Sequence, residues 1–194
     1  MSSYKASRVY GEVEICEFLR AVDRHLFAPS RMIIIGGAAS AFYQSTSTTN
    51  DVDTYEAIAV DLQEAIKKAT TETGLSIPIN HSSVADCPYH FEERLERKLL
   101  ELVYLEVLVL EKHDLALSKT IRGASHDEQQ IHEIHNAVGL SFDTLVQRFR
   151  DEMDHIVGDP TRIRQQFLQL LELLFGEMKS VAAKKLLVGS WADR

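Results

Sequence analysis

The sequence lacks the long apolar stretches that a membrane-spanning helix requires. No stretch of this 194-residue chain approaches the ~18 consecutive apolar residues of a transmembrane helix. The N-terminal residues, MSSYKASRVYGEVEICEF, contain no apolar run typical of a signal peptide. These absences predict no membrane association and a cytoplasmic location.

Cysteine and basic residues are also few. Cys16 and Cys87 are not spaced as CxxC or as metal ligands, so we expect buried or inert thiols. The 21 Lys and Arg against 29 Asp and Glu give a formal net charge of −8. That balance argues against broad nonspecific nucleic-acid binding, which depends on a basic surface, but leaves a local basic groove open.

What the sequence does contain is a short α/β half followed by a helical half, with a hydrophobic fraction of 45%. Apolar spacing predicts helices and strands in the first half: helices at 13–26, 38–43 and 61–73, and strands at 32–35, 51–55 and 104–110. Prolines mark irregular or edge structure over 75–89. Helical spacing then predicts the following helices: 114–121, 127–138, 142–156 and 161–185. We therefore predict an α/β (α+β) core over 1–110 and a helical region over 111–194.

Two short motifs lie near the ends of the first two predicted strands. Gly36 and Gly37 end the apolar run MIII; glycines let the backbone approach a ligand closely, and the amides that start the next helix suit a phosphate. Asp51 and Asp53 are i and i+2 on the next strand, so both carboxylates project from one face. Like charges held this close are tolerated most readily around a cation, and Mg²⁺ (or Mn²⁺) shares oxygen ligands with phosphates. The pattern predicts a metal-dependent phosphoryl-transfer site.

More ordinary interpretations exist for the same residues. GGAAS has neither the GxGxxG spacing nor the GK[ST] of a P-loop, and an isolated DxD is most often solvated surface. His132 and His135 share a helical face but lack the carboxylate of HExxH, so we expect solvent-facing histidines rather than a metal site. The order strand, GG, helix, polar loop and DxD strand favours the functional interpretation.

Gly36-Gly37 followed by Asp51-Val52-Asp53 resembles the signature of the nucleotidyltransferase superfamily related to DNA polymerase β. The resemblance implies a minimal nucleotidyltransferase fold with a small mixed sheet and a C-terminal helical bundle. It also implies transfer of a nucleotidyl group from an NTP to a protein, RNA or small-molecule acceptor.

A later segment, DLALSKTIRGASHDEQQI, resembles AbiEii-like nucleotidyltransferases and related uncharacterised bacterial families. There a helix-borne Lys and a later Asp complete the nucleotide site, which implies Lys119 and Asp127 here, with Arg122 between them. Lys119 could reach a triphosphate or be an ordinary exposed lysine, and Asp127 could orient Lys119 or cap a helix. The AbiEii likeness implies a toxin-antitoxin or phage-defence setting. CPYHFEERLER, residues 87–97, also resembles a recurrent segment of that branch, without an assigned role.

Departures from the family pattern leave the chemistry open. Relatives often carry R-x-T-x-D-x-D; here Ser47 takes the Arg position and Thr49 is kept, and we add Thr49 and Ser40 to the nucleotide-binding candidates. Glu106 is the candidate third metal-binding carboxylate, with Glu101 as a second choice. The alternative function is a catalytically silent relative that acts as a nucleotide-binding or protein-interaction module.

The last predicted helix has an apolar stripe wider than a surface helix needs. It predicts packing against the other helices, or a homodimer or partner-protein surface.

Overall fold

A small mixed sheet organises the first of two units in this computed structural model, which describes residues 8–43, 48–82 and 86–193. Within those residues the sheet has five strands: β1 (Ser30–Ile35), β2 (Val52–Thr54), β3 (Ile79–His81), β4 (Glu96–Lys98) and β5 (Leu105–Val109). Their order across the sheet is β3-β2-β1-β5-β4. β1 runs parallel to β5 and antiparallel to β2, whereas β2 is parallel to β3 and β4 antiparallel to β5.

Three helices complete this unit: α1 (Glu12–Arg24), α2 (Gly36–Ala41) and α3 (Val60–Thr73). One face of α1 is buried, including Ile15, Phe18 and Leu19, and α1 packs against α3. The predicted mixed α/β fold is confirmed, and α2 begins at Gly36, two residues before its predicted start. β3 and β4 were not predicted because INH and ERK have no apolar alternation to mark them as strands.

Asp23, in the last turn of α1, holds the start of β5. Asp23 is 8% exposed, and its carboxylate accepts hydrogen bonds from the backbone N–H groups of Val103, Tyr104 and Leu105, the last two at 2.7 Å. Buried N–H groups are costly to leave unpaired. This one side chain therefore joins α1 to the strand beside β1.

The second unit is helical: within the described residues it comprises 43, 86–95 and 110–193. Its helices are α4 (Lys112–Arg122), α5 (Asp127–Val138), α6 (Phe142–Glu152), α7 (Pro160–Phe175) and α8 (Glu177–Leu186). Residues 86–95 belong to this unit, whereas the predicted core over 1–110 includes them.

The predicted single helix over 161–185 is wrong. Gly176, with φ +85°, ends α7 and starts α8, and the two helices pack against each other. The left-handed region is open to glycine at little cost. Continuous apolar spacing across the break concealed the turn.

Within the segment 87–97, residues Phe91–Arg94 form a short 3-10 helix whose last residue binds two helices of this unit. Arg94 donates two hydrogen bonds to the fully buried Asp114 of α4 and one, of 2.7 Å, to Glu152 of α6. Arg148 donates to the same Asp114 carboxylate at 2.8 Å. The two guanidinium groups bind the Asp114 carboxylate and thereby offset the cost of burying its charge. Arg94 thus ties this segment to two helices.

Within the stretches that the structure describes, no helix is long and apolar enough to cross a membrane.

Replacing Asp23 with Asn should lower the free energy of unfolding by about 1–3 kcal/mol at neutral pH, because a neutral oxygen replaces a charged acceptor. Burial alone would raise the pKa of Asp23, but the N–H groups of Leu105, Tyr104 and Val103 outweigh burial and lower it below the usual 3.8. The stabilisation is therefore present at neutral pH and is lost as the pH falls through the lowered pKa. Urea denaturation of both proteins over an acid pH series measures the difference.

The control is Asp154→Asn, at an exposed position, which should change stability by less than about 0.5 kcal/mol. A difference between wild type and Asp23→Asn that does not shrink in acid would contradict the assigned role of the Asp23 charge.

Candidate functional site

The register between β1 and β2 brings the two predicted motifs together. Ile34 pairs with Thr54 and Ile35 with Asp53 in this antiparallel pair. Gly36 follows Ile35 directly and is the first residue of α2. The strands predicted over 32–35 and 51–55 are therefore neighbours in the sheet; Asp53 lies on β2, and Asp51 directly precedes that strand rather than lying on it.

Gly36 lies so close to Asp53 that even a methyl group on it would make a tight contact with the carboxylate. Its φ is +65°, and a Cβ built on it would lie 3.2 Å from Oδ2 of Asp53. A position that needs both a left-handed backbone and an open approach favours glycine. The bend and the Asp53 carboxylate therefore share one small volume.

Gly37 lies equally close to Thr49, which precedes the acidic pair in the chain. A Cβ on Gly37 would lie 2.9 Å from Oγ1 of Thr49, and that hydroxyl donates to Oδ1 of Asp51 at 3.4 Å. The backbone of Thr49 is held by Tyr10 through hydrogen bonds of 2.8 and 3.0 Å. Thr49 therefore connects the second glycine to the first aspartate.

Asn80 on β3 also contacts the acidic pair, although no sequence pattern indicates it. It is the register partner of Asp53, and its Nδ2 donates to Oδ2 of Asp51 at 3.0 Å. The Thr49 hydroxyl and the Asn80 amide are both neutral, so these bonds orient the Asp51 carboxylate without compensating its charge. Nothing in PINH marks Asn80, because its position depends on the pairing of β3 with β2.

The strand β2 also separates the acidic side chains from the core. Val52 is fully buried and Thr54 is 2% exposed, whereas Asp53 between them is half-buried. Alternation along a strand places successive side chains on opposite faces. Asp53 therefore lies on the face away from Val52, as the DxD spacing predicted.

Glu106 does not join this cluster, so its assignment as the third metal-binding carboxylate is corrected. Glu106 is level with Arg31 on β1, whereas Asp53 is level with Ile35, four residues further along. At about 3.3 Å per residue this is about 13 Å along the strand, too far for one ion. Glu101, the second choice, is exposed and paired with Arg20 at 2.8 Å. Over the three described ranges, no three His, Cys, Asp or Glu side chains form a metal-binding group.

One further candidate, Ser40, has different surroundings from the acidic pair. Ser40 is fully buried, and its hydroxyl donates to the Gly36 carbonyl within α2 at 3.4 Å. Its role in this structure is within the helix, and its proposed contact with a nucleotide stays a prediction. Ser47, at the position where relatives carry Arg, lies outside the described residues.

Lys119 and Asp127 form a buried pair within the helical unit. Lys119, on α4, is 2% exposed, and its Nζ donates to Oε1 of Gln130 and to Oδ1 of Asp127, the latter at 3.4 Å. Burial lowers the pKa of Lys119 to about 8, against the opposing effect of Asp127. Gln130 carried no signal in the sequence. The predicted contact of Lys119 with a triphosphate stays a prediction.

Besides binding Lys119, Asp127 holds the turn between α4 and α5. It is the first residue of α5, and its Oδ2 accepts from the backbone N–H of Ala124 at 2.9 Å and from Nε of Arg122 at 3.0 Å. Burial would raise the pKa of Asp127, but Arg122 and Lys119 lower it. Arg122 is thus engaged with Asp127. Beside this cluster lies a cavity of about 220 Å³ that Lys119 and Asp127 help to line.

Comparison with known families agrees with this geometry. A family model described as "Nucleotidyltransferase of unknown function (DUF6036)" matches residues 13–178, so the chain belongs to that family. Membership of the nucleotidyltransferase superfamily, predicted from the two motifs, is confirmed, and the AbiEii-like branch stays a prediction. No curated protein and no solved structure gives a significant match.

Replacing Gly36 with Ala should destabilise the protein more than replacing Gly74 with Ala. Both glycines have a left-handed φ, +65° and +68°, but a Cβ at Gly74 would meet nothing within 4 Å, whereas one at Gly36 would press on Asp53. Gly74→Ala should therefore cost only the backbone term of about 1–2 kcal/mol. Urea denaturation of both variants measures the comparison, and equal costs would contradict close contact at Gly36.

Lys119→Met should abolish a rise in stability that the wild type shows above pH 8. The pKa of Lys119 is about 8 in the folded protein, against an ordinary value of 10.5. Between these two pH values Lys119 is protonated in the unfolded chain but largely neutral in the folded protein. The free energy of unfolding therefore rises with pH over this interval. Over that interval the free energy of unfolding of the wild type should rise by up to about 3 kcal/mol relative to that of Lys119→Met.

Urea denaturation from about pH 7.5 to 10 checks this prediction. Lys67→Met, at an exposed position on α3, is the control and should run parallel to the wild type. A constant difference between the wild type and Lys119→Met would show that Lys119 keeps its proton in the folded state.

Proposed function

We propose that this member of the nucleotidyltransferase family moves a nucleotidyl group from an NTP to an acceptor, with release of pyrophosphate, in a metal-dependent reaction. One observation carries the proposal: Oδ2 of Asp53 lies 3.2 Å from the place where Gly36 would have its Cβ. A phosphate that approaches the open glycine backbone would be next to a carboxylate able to share a cation with it. The family match supports the reaction class.

Asp51 and Asp53 are the residues that would hold Mg²⁺ or Mn²⁺. They supply the hard oxygen ligands that these ions prefer, and the Asp51 carboxylate is bound by two neutral groups, Thr49 and Asn80. Its negative charge therefore remains available to a cation. When bound, such an ion supplies neutralisation of the charge on the phosphates and alignment of the reacting groups.

The other residues of the site orient the Asp51 carboxylate or leave space for the phosphates. Thr49 and Asn80 fix the two oxygens of Asp51 in direction, so that little rearrangement accompanies binding. Gly36 and Gly37 present backbone without side chains at the first turn of α2, where N–H groups lack partners within the helix. We propose that these amides contact the phosphates of the NTP.

The acceptor and the biological setting follow from the family likeness alone. We propose a protein, an RNA or a small molecule as acceptor, in the cytoplasm, with a toxin-antitoxin or phage-defence role by analogy with AbiEii-like proteins. For Lys119, Arg122 and Asp127, contact with the triphosphate is proposed on the AbiEii likeness alone.

The alternative is a catalytically silent protein that binds a nucleotide without transferring it. The position of Glu106 favours this alternative, because the strand that was expected to supply a third carboxylate places it about 13 Å along the sheet from the level of Asp53. Two carboxylates suffice to bind Mg²⁺ together with phosphates. Binding and transfer must therefore be measured separately.

An NTP together with Mg²⁺ should raise the melting temperature of the wild type, and Asp53→Asn should abolish the effect. A ligand at about 100 times its dissociation constant adds about 2.7 kcal/mol of stability, which for a chain of this size is a shift of several degrees. The measurement is thermal denaturation with each of the four NTPs, with Mg²⁺ or with EDTA.

Asp61→Asn provides the matched control, because Asp61 is an exposed aspartate on α3 of the same unit. It should keep the full shift. If no NTP stabilises the wild type, both functions are wrong. Incubation with NTPs labelled at the α-phosphate and with candidate acceptors then separates them: labelled acceptor supports the transferase, and stabilisation without labelling supports the silent module.

A further inference from the structure

The outer side of α8 carries apolar residues that no part of the described chain covers. Met178 is 87% exposed, and Val181 and Leu186 are each 47% exposed. Together with Ala182, these residues recur at intervals of three and four positions and so lie along one side of the helix. We call them the α8 apolar face. They line a shallow groove of about 700 Å³.

The other side of α8 already holds the helix in the fold. Ala183 and Leu187 are fully buried, and Ser180 is 4% exposed, with its hydroxyl donating to the Leu168 carbonyl of α7 at 3.0 Å. At 100° per residue these positions lie opposite the α8 apolar face. The exposed residues are therefore not needed for packing α8 on α7, and contiguous exposed apolar surface typically marks an interaction site.

Two charged residues at the ends of the same groove indicate which partner fits. Glu177 and Lys185 line the groove at its two ends, four residues before and four residues after Val181. If two copies of α8 packed antiparallel about Val181, Glu177 of each copy would be level with Lys185 of the other. A parallel arrangement would instead place like charges together, which is unfavourable.

We propose that the α8 apolar face binds a second copy of this chain through a two-fold axis at Val181, with α8 antiparallel to α8. A two-fold interface uses the same surface on both subunits and must be self-complementary. The groove satisfies this requirement in charge, with Glu177 and Lys185 exchanged across the axis. Met178 adds a flexible side chain that adapts to an apolar partner.

Sedimentation equilibrium of the full chain over about 1–100 µM tests the proposal, because it covers weak to moderate association. The wild type should dimerise. Glu177→Lys and Lys185→Glu should each raise the dissociation constant by about tenfold or more, since each places like charges across the axis. The double variant Glu177→Lys/Lys185→Glu restores opposite charges and should return to within about threefold of the wild type.

Two further variants separate this interface from general apolar association. Val181→Glu should give a monomer, whereas Val157→Glu, at a 93% exposed valine outside α8, should dimerise like the wild type. Circular dichroism confirms that each variant is folded. A wild type that is monomeric throughout, single charge variants without effect, or a double variant no tighter than the singles would overturn the proposal.

Discussion

The pairing of Ile35 with Asp53 is the constraint on which the candidate site depends. Because of this pairing, the last residue of β1 lies beside Asp53 of β2. The next residue, Gly36, has φ +65° and lies directly against the Asp53 carboxylate. A shift of one residue in this register would turn Asp53 toward the core and Val52 toward the site. The buried Val52 and Thr54 resist that shift, because it would expose them. Core packing therefore determines where the carboxylate lies.

The buried and half-buried aspartates of this protein have two kinds of bonding partner. Asp23 is bound by three backbone N–H groups, Asp114 by two arginines, and Asp127 by Arg122 and Lys119. Protein groups already offset the charge of each of these carboxylates, which allows its burial but leaves little attraction for a cation. Asp51, by contrast, is half-buried and held by the neutral groups of Thr49 and Asn80. An oriented carboxylate whose bonded neighbours are neutral is suited to binding a cation.

A site with two carboxylates has a consequence for the proposed reaction. Mg²⁺ held by one or two carboxylates completes its octahedral coordination with water and substrate phosphates. Metal and NTP would therefore bind cooperatively, each supplying ligands or charge that the other needs. This coupling distinguishes the site from a preformed three-carboxylate centre, and it applies whether the nucleotide is transferred or only bound.

The sequence by itself determined the α/β class, the superfamily, most of the helices, and the strands β1, β2 and β5, because each leaves a local pattern of apolar spacing or of glycine and aspartate. It did not reveal the polar strands β3 and β4, the break at Gly176, or Asn80 beside Asp51, since none of these has a local signature. Only the tertiary structure decided that Glu106 lies away from Asp53 and that Lys119 is buried against Gln130. Both depend on strand register and helix packing between residues distant in the chain, and a one-dimensional pattern does not contain that information.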